Sequence, residues 1–181
     1  MSSQSLIPLS LSISQPSPSL SPPTVLLTLA NTSPDVPVTL LTWSSPLDSL
    51  ALQLGLIQVS SPSNPSNKID IPQLMIKRAM PPPEDALVTL GPGEKKSREV
   101  VLREPIVDGD KLLELAEEGK VGVRVVCGKD KEEEQDGGVV VWVGKKREEV
   151  SPEEVAMLGR GKEAKRWKVE SEVFGMKVDG A

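Results

Sequence analysis

The chain has 181 residues, enough for one domain with a substantial core and short for two, and its formal charge of −5 comes without the basic excess that a phosphate backbone demands. Histidine is absent and Cys127 is the lone cysteine, which excludes Ser-His-Asp and Cys-His catalysis, His-containing and thiolate zinc sites, and any internal disulfide. Only 2% of the residues are aromatic, so the interior has to be built from Val, Leu and Ile, which suit pleated sheets.

Leu9, Leu11 and Ile13 alternate with Ser10, Ser12 and Ser14, the period of a half-buried strand, before QPSPSLSPP breaks it. The start, MSSQSLIPLSLSISQPSPSLSPP, lacks a basic n-region and an unbroken apolar core, so it does not read as a secretory signal. Nowhere do eighteen apolar residues run together; no membrane span is expected, and a cytoplasmic location is favoured. In TVLLTLANTSPDVPVTLLTW, Val25, Leu27 and Leu29 share a face, NTSPD supplies turn formers, and Val38 and Leu40 resume the alternation. That pattern predicts a hairpin with a long loop, and Asn31 within it formally opens a glycosylation sequon.

SSPLDSLALQLGLIQVSS begins with helical spacing at Leu47, Leu50, Ala51 and Leu54 and predicts a strand over 55–59. SPSNPSNK is loop by composition, and IDIPQLMIKR predicts a further strand that Pro72 confines to an edge or bulge. MPPPEDALVTLGPGEKKSREVVLREP reads as a device for changing direction between two sheets. Its prolines cannot join a ladder, GPGE is a turn, and Val100 and Leu102 point inward. DGDKLLELAEEGK predicts a short helix capped by Asp108 or Asp110, with Leu112, Leu115 and Ala116 on one stripe and Gly119 as its stop.

Val121, Val123, Val125 and Cys127 line one face of the next strand. KDKEEEQDGG is too charged to pack and predicts a mobile hairpin excursion before VVVWVG. Ser151, Pro152 and Glu154 make a helix-start signal. In the last strand, KRWKVESEVFGMKVDG, the inward set switches from Val169, Ser171 and Val173 to Phe174, Met176 and Val178, which predicts a bulge near Gly175. The sum is one all-β domain over residues 1–181, an immunoglobulin-like antiparallel β-sandwich with two short connecting helices and mobile segments at 14–23, 60–68 and 128–138.

Chemistry-bearing patterns are sparse. GPGEKKS has no phosphate-loop spacing, and the adjacent carboxylates Glu84 and Asp85, and Glu117 and Glu118, diverge rather than pair. DGD and KDKEEEQDGG lack the spacing of a calcium loop, so neither a metal nor a cofactor is expected. Cys127 reads as an inert core thiol, and the basic run Arg160, Lys162, Lys165, Arg166 and Lys168 beside Trp167 as a solvated strand entrance. Trp43 either fills a core or anchors a partner. With Pro46, Pro81, Pro82 and Pro83 it forms the candidate contact set for another protein. The expectation is a non-enzymatic protein-binding module. The alternative is a small-ligand or metal-binding protein, or an enzyme, using loop carboxylates.

VLLTLANTSPDVPVTLLTWSSPLD, MIKRAMPPPEDALVTLGPGEKKSREVVLREP and the closing VESEVFGMKV together resemble the β-sandwich segment of fungal deuterolysin-type and peptidyl-Lys metallopeptidases, and related stand-alone fungal proteins. The zinc-binding protease half of that family has no counterpart here. The resemblance therefore implies a non-catalytic module whose relatives sit against a protease, acting as a folding aid or as a latch over its active site; the expected partner is another protein, a peptidase being one candidate.

Overall fold

In the computed structural model, residues 7–19, 21–128, 138–160 and 164–178 are described. In chain order the elements are β1 (Leu9–Ser14), β2 (Thr24–Asn31), β3 (Val38–Leu41), β4 (Ile57–Ser60), a 3-10 turn (Glu84–Ala86), β5 (Leu87–Leu90) and β6 (Lys95–Val101). Then come α1 (Gly109–Leu115), β7 (Lys120–Cys127), β8 (Val139–Val143), a second 3-10 turn (Arg147–Glu149), α2 (Pro152–Ala156), β9 (Lys165–Trp167), β10 (Val169–Glu170) and β11 (Phe174–Lys177).

Two antiparallel layers make the sandwich. One has the order β1-β2-β6; in the other β7 is central, with β4 on one edge and β10 and β11 in succession on the opposite edge. Alternation in β2 puts Val25, Leu27 and Leu29 on one face, and alternation in β7 does the same for Val121, Val123, Val125 and Cys127. All seven are fully buried in one cluster with Ile57, Val59 and Met176. The Gln15 side chain closes the two layers at one side: its Nε2 donates to the Lys177 carbonyl (2.8 Å) and its Oε1 accepts from the Lys177 amide (2.9 Å), as a strand residue would.

A third antiparallel sheet, of order β5-β3-β8-β9, goes beyond the two-layer expectation. Its strands come from three separate connections, β2 to β4, β4 to β6, and β7 to β10: the first and third leave one end of the sandwich, and the second leaves β4 at the other end, folds back along it and enters β6 from that same shared end. Register shows this: Leu9 pairs with Asn31, whereas Gln15 beyond the far end of β1 bonds Lys177, which pairs with Lys120 at the start of β7. The ends marked by Asn31 and Cys127 therefore point the same way. One face of the third sheet adds Val38, Leu40, Leu90, Val139 and Val141 to the main core. On its other face Leu41, Leu87, Val140 and Trp142 pack with Val150, Val155 and Ala164 in a second cluster. Burial on both faces is why VVVW reads as an unbroken apolar run and why VTLL is buried at every position, Thr39 included.

This arrangement corrects both predicted hairpins. β2 and β3 lie in different sheets, as do β7 and β8, so the NTSPD segment and the loop after Cys127 are crossings between layers. Residues 129–137 of that loop lie outside the described residues. At its base Gly128 and Gly138 both take positive φ (100° and 102°), and a Cβ on Gly138 would meet the Trp167 carbonyl oxygen at 2.6 Å. Only glycine lets the β7–β8 and β9–β10 connections cross so closely.

The strand predicted over IDIPQLMIKR does not form: Ile69 and Ile71 are buried, but Leu74 and Met75 are both exposed and residues 70–79 take no regular structure. Pro72 has no amide to donate, and the alternation fails beyond it. The predicted switch of inward set in the last strand is present, but the break lies at 171–173 rather than near Gly175. There the Ser171 Oγ accepts the Val125 amide (2.9 Å), and Val173 is exposed. The turn between β5 and β6 does carry the chain between sheets. Asp108 caps α1 by accepting from the amides of Asp110 and Lys111, and Ser151 and Glu154 form the expected capping box on α2. Lys145 and the Ser151 backbone hold the Glu154 carboxyl below the usual carboxylate range.

Asn31 is the corner of the crossing from β2 to β3. Its buried Nδ2 donates to the carbonyls of Val36 (2.9 Å), Leu90 (2.9 Å) and Gly91 (3.1 Å), and its Oδ1 accepts the Ser33 amide (2.9 Å). A glycan on Nδ2 is incompatible with these bonds. Asn31→Ala takes the donor from the buried bond to Leu90 and from the part-buried bonds to Val36 and Gly91, and is expected to cost about 2 kcal/mol in chemical denaturation; an unchanged midpoint would show that solvent already satisfies the corner.

Candidate functional site

The chain leaves β3 through a turn whose sequence dictates its hydrogen bonds. The Ser45 amide and Oγ both donate to the Thr42 carbonyl, and the Asp48 carboxylate closes the turn by accepting from the Ser44 amide (2.7 Å) and the Leu50 amide (3.0 Å). Thr42 in turn donates its amide to Ala86, which fastens the turn to the start of β5. The carboxylate of Asp48 is almost wholly buried, with 1% of its side chain exposed, and its charge is met by Arg78 Nη2 at 2.6 Å. The same guanidinium lies 5.0 Å from the centre of the Trp43 ring, a cation–π contact.

These groups line an open cleft of about 440 Å³ between this turn and the side of β6, with Trp43, Asp48, Arg78 and Pro83 meeting Lys96 and Arg98. Arg98 Nη1 reaches the Leu47 carbonyl at 3.4 Å. Burial, and then the Asp48 carboxylate, push the Cys127 thiol up to about 12, so this fully buried thiol stays protonated and unreactive at neutral pH.

Of the five residues chosen from sequence, Trp43 is half-buried and lines the cleft, Pro83 is exposed and lines it, and Pro81 is exposed but does not line it. Pro46 and Pro82 are buried and present no surface to a partner. Asp48, Arg78, Lys96 and Arg98 were not singled out. Asp48 carries a local signal as a turn-closing Asp, but nothing near Arg78 in sequence points to a residue thirty positions earlier. Elsewhere, Ser61 and Ser63 both donate to Glu117 Oε1 and hold that carboxyl below its ordinary range. In the basic run, Lys168 pairs with Glu170 (3.3 Å) and Arg166 Nε donates to the Leu158 carbonyl (2.8 Å); Lys162 lies outside the described residues. Among the described residues no group of Cys, Asp and Glu is gathered to hold a metal ion, and no helix is long and apolar enough to cross a membrane.

The β1-β2-β6 layer, sharing one core with the layer centred on β7, defines the class: an immunoglobulin-like antiparallel sandwich whose connections have grown a sheet of their own. A family model of immunoglobulin-like domains matches residues 8–178, and the chain belongs to that family. No curated protein matches it.

Proposed function

We propose that this protein is a non-enzymatic protein-binding module whose contact surface is the cleft around Trp43 and Arg78. The observation that carries the reading is the half-buried Trp43 ring, stacked by a guanidinium in an open cleft that exposed Pro83 also lines. Tryptophan, arginine and rigid proline loops are the residues that anchor interfaces at low cost in side-chain freedom. Of the two carboxylates that line the cleft, Asp48 is taken up by the turn and by Arg78, since both of its oxygens already accept hydrogen bonds. The resemblance to segments that accompany fungal metallopeptidases makes a peptidase the partner of choice, with the module as a latch or folding aid.

The test is capture from native lysate with the wild-type chain and Trp43→Ala as paired baits. A stoichiometric partner held by the wild type and lost by Trp43→Ala, at unchanged circular dichroism, supports the reading. No stoichiometric partner for the wild type, or one that Trp43→Ala retains, overturns it.

A further inference from the structure

We infer that the outer edge of β6 is a docking edge that takes an extended acidic segment of the partner as an added strand; the inference rests on the cleft being the contact surface. β6 runs seven residues, roughly 23 Å at strand spacing, and β2 is its sole described strand partner. The Leu102 amide bonds the Pro23 carbonyl and the Asn31 amide bonds the Glu94 carbonyl, each at 2.9 Å, which marks the even-numbered positions as those bonded to β2. By the alternation of an antiparallel ladder, the N–H and C=O groups of Lys95, Ser97, Glu99 and Val101 face the open side. The outer edge of β4 differs: the chain folds back over it, with the Ile69 amide on the Val59 carbonyl and the Ser61 amide on the Asn67 carbonyl.

Charge selects the occupant. On β6 the side chains of Lys96 and Arg98 lie two residues apart, on the face that lines the cleft. Arg78 is matched by Asp48, so Lys96 and Arg98 supply the cleft's positive excess, offset only by Asp85. A strand laid along this edge with carboxylates at i and i+2 matches both. A second copy leaves the cleft-side face unmatched: antiparallel pairing through the open groups about Ser97 sets Lys96 against Arg98 of the other copy, although Lys95 then meets Glu99 on the opposite face, and pairing about Glu99 sets the two Glu99 side chains together.

The experiment is an NMR titration of the nitrogen-15-labelled full chain with a capped octapeptide alternating threonine and glutamate, and with its lysine counterpart. The acidic peptide is expected to shift the amides of Ser97, Glu99 and Val101 and slow their exchange, while Arg98, Val100 and Leu102, already bonded to β2, keep their rates. The Lys96→Glu, Arg98→Glu double variant should weaken binding about tenfold. Ser97→Pro deletes an outward amide, keeps the backbone ladder to β2 while giving up the Ser97–Thr28 hydroxyl bond (2.8 Å), and should weaken binding with the charges intact, whereas Ser97→Ala, which loses only that hydroxyl bond, should not. Equal binding of the lysine peptide, no response to the acidic one, or a doubled mass with these amides already protected overturns the inference. Shifts at the Trp43 indole with none at the odd-numbered β6 amides overturn the added strand while leaving the cleft as a contact surface.

Discussion

Trp142→Ala is expected to lower the folding free energy by about 3–5 kcal/mol, a large share of what holds a domain of this size together. The ring is fully buried on the outer face of the third sheet, in the cluster it shares with Leu41, Leu87, Val140, Val155 and Ala164. Deleting it opens a cavity between the sheet and α2 that two short elements cannot collapse to fill. The indole Nε1 has no hydrogen-bond partner among the described residues, so the ring acts here through its bulk alone. Trp142→Phe removes a buried unpaired donor along with part of that bulk, and is expected to cost no more than about 1.5 kcal/mol. Urea unfolding of the two variants checks both figures. Equal losses for alanine and phenylalanine would mean that the indole nitrogen is bonded and that packing is not the main contribution.

The same cluster explains what was legible in the sequence. β2 and β7 were readable because each buries one face, so Val25, Leu27 and Leu29, and Val121 to Cys127 in steps of two, carry the period of a strand. The caps at Asp108 and Ser151 and the turn at 91–94 were readable because their chemistry is local. The third sheet was not. Residues buried on both faces lose the period that would reveal their orientation, and membership of a sheet is settled by contacts far apart in the chain. NTSPD has the residues of a tight turn whether the next strand pairs with the last or crosses to another layer. At the site, Trp43 stood out by its side chain. Lys96 and Arg98 look in sequence like any solvated strand, and only the unpaired edge of β6 gives their spacing a use.

Arg78→Met should cost about 3 kcal/mol, although the residue is partly exposed and the methionine keeps most of the apolar stem over Trp43. The loss comes from Asp48, which would keep a buried carboxylate with two backbone amides and no counter-charge. If that is the cause, Asp48→Asn should relieve it in part: the amide oxygen keeps one of the two turn bonds, the Nδ2 replaces the other acceptor and loses that bond, but no charge is stranded. The double variant Asp48→Asn, Arg78→Met is therefore expected to be more stable than Arg78→Met alone by about 1–2 kcal/mol, a coupling that a double-mutant cycle measures directly. Additive losses would show that Arg78 acts by stacking on Trp43 rather than by neutralising Asp48. The binding surface is tied to the same pair, because the guanidinium that neutralises Asp48 is the one that covers the indole. A variant that folds well without the pair, as the double variant should, separates the two roles. Loss of the captured partner at restored stability would assign the Trp43–Arg78 stack to recognition, and retention would confine the pair to holding the turn.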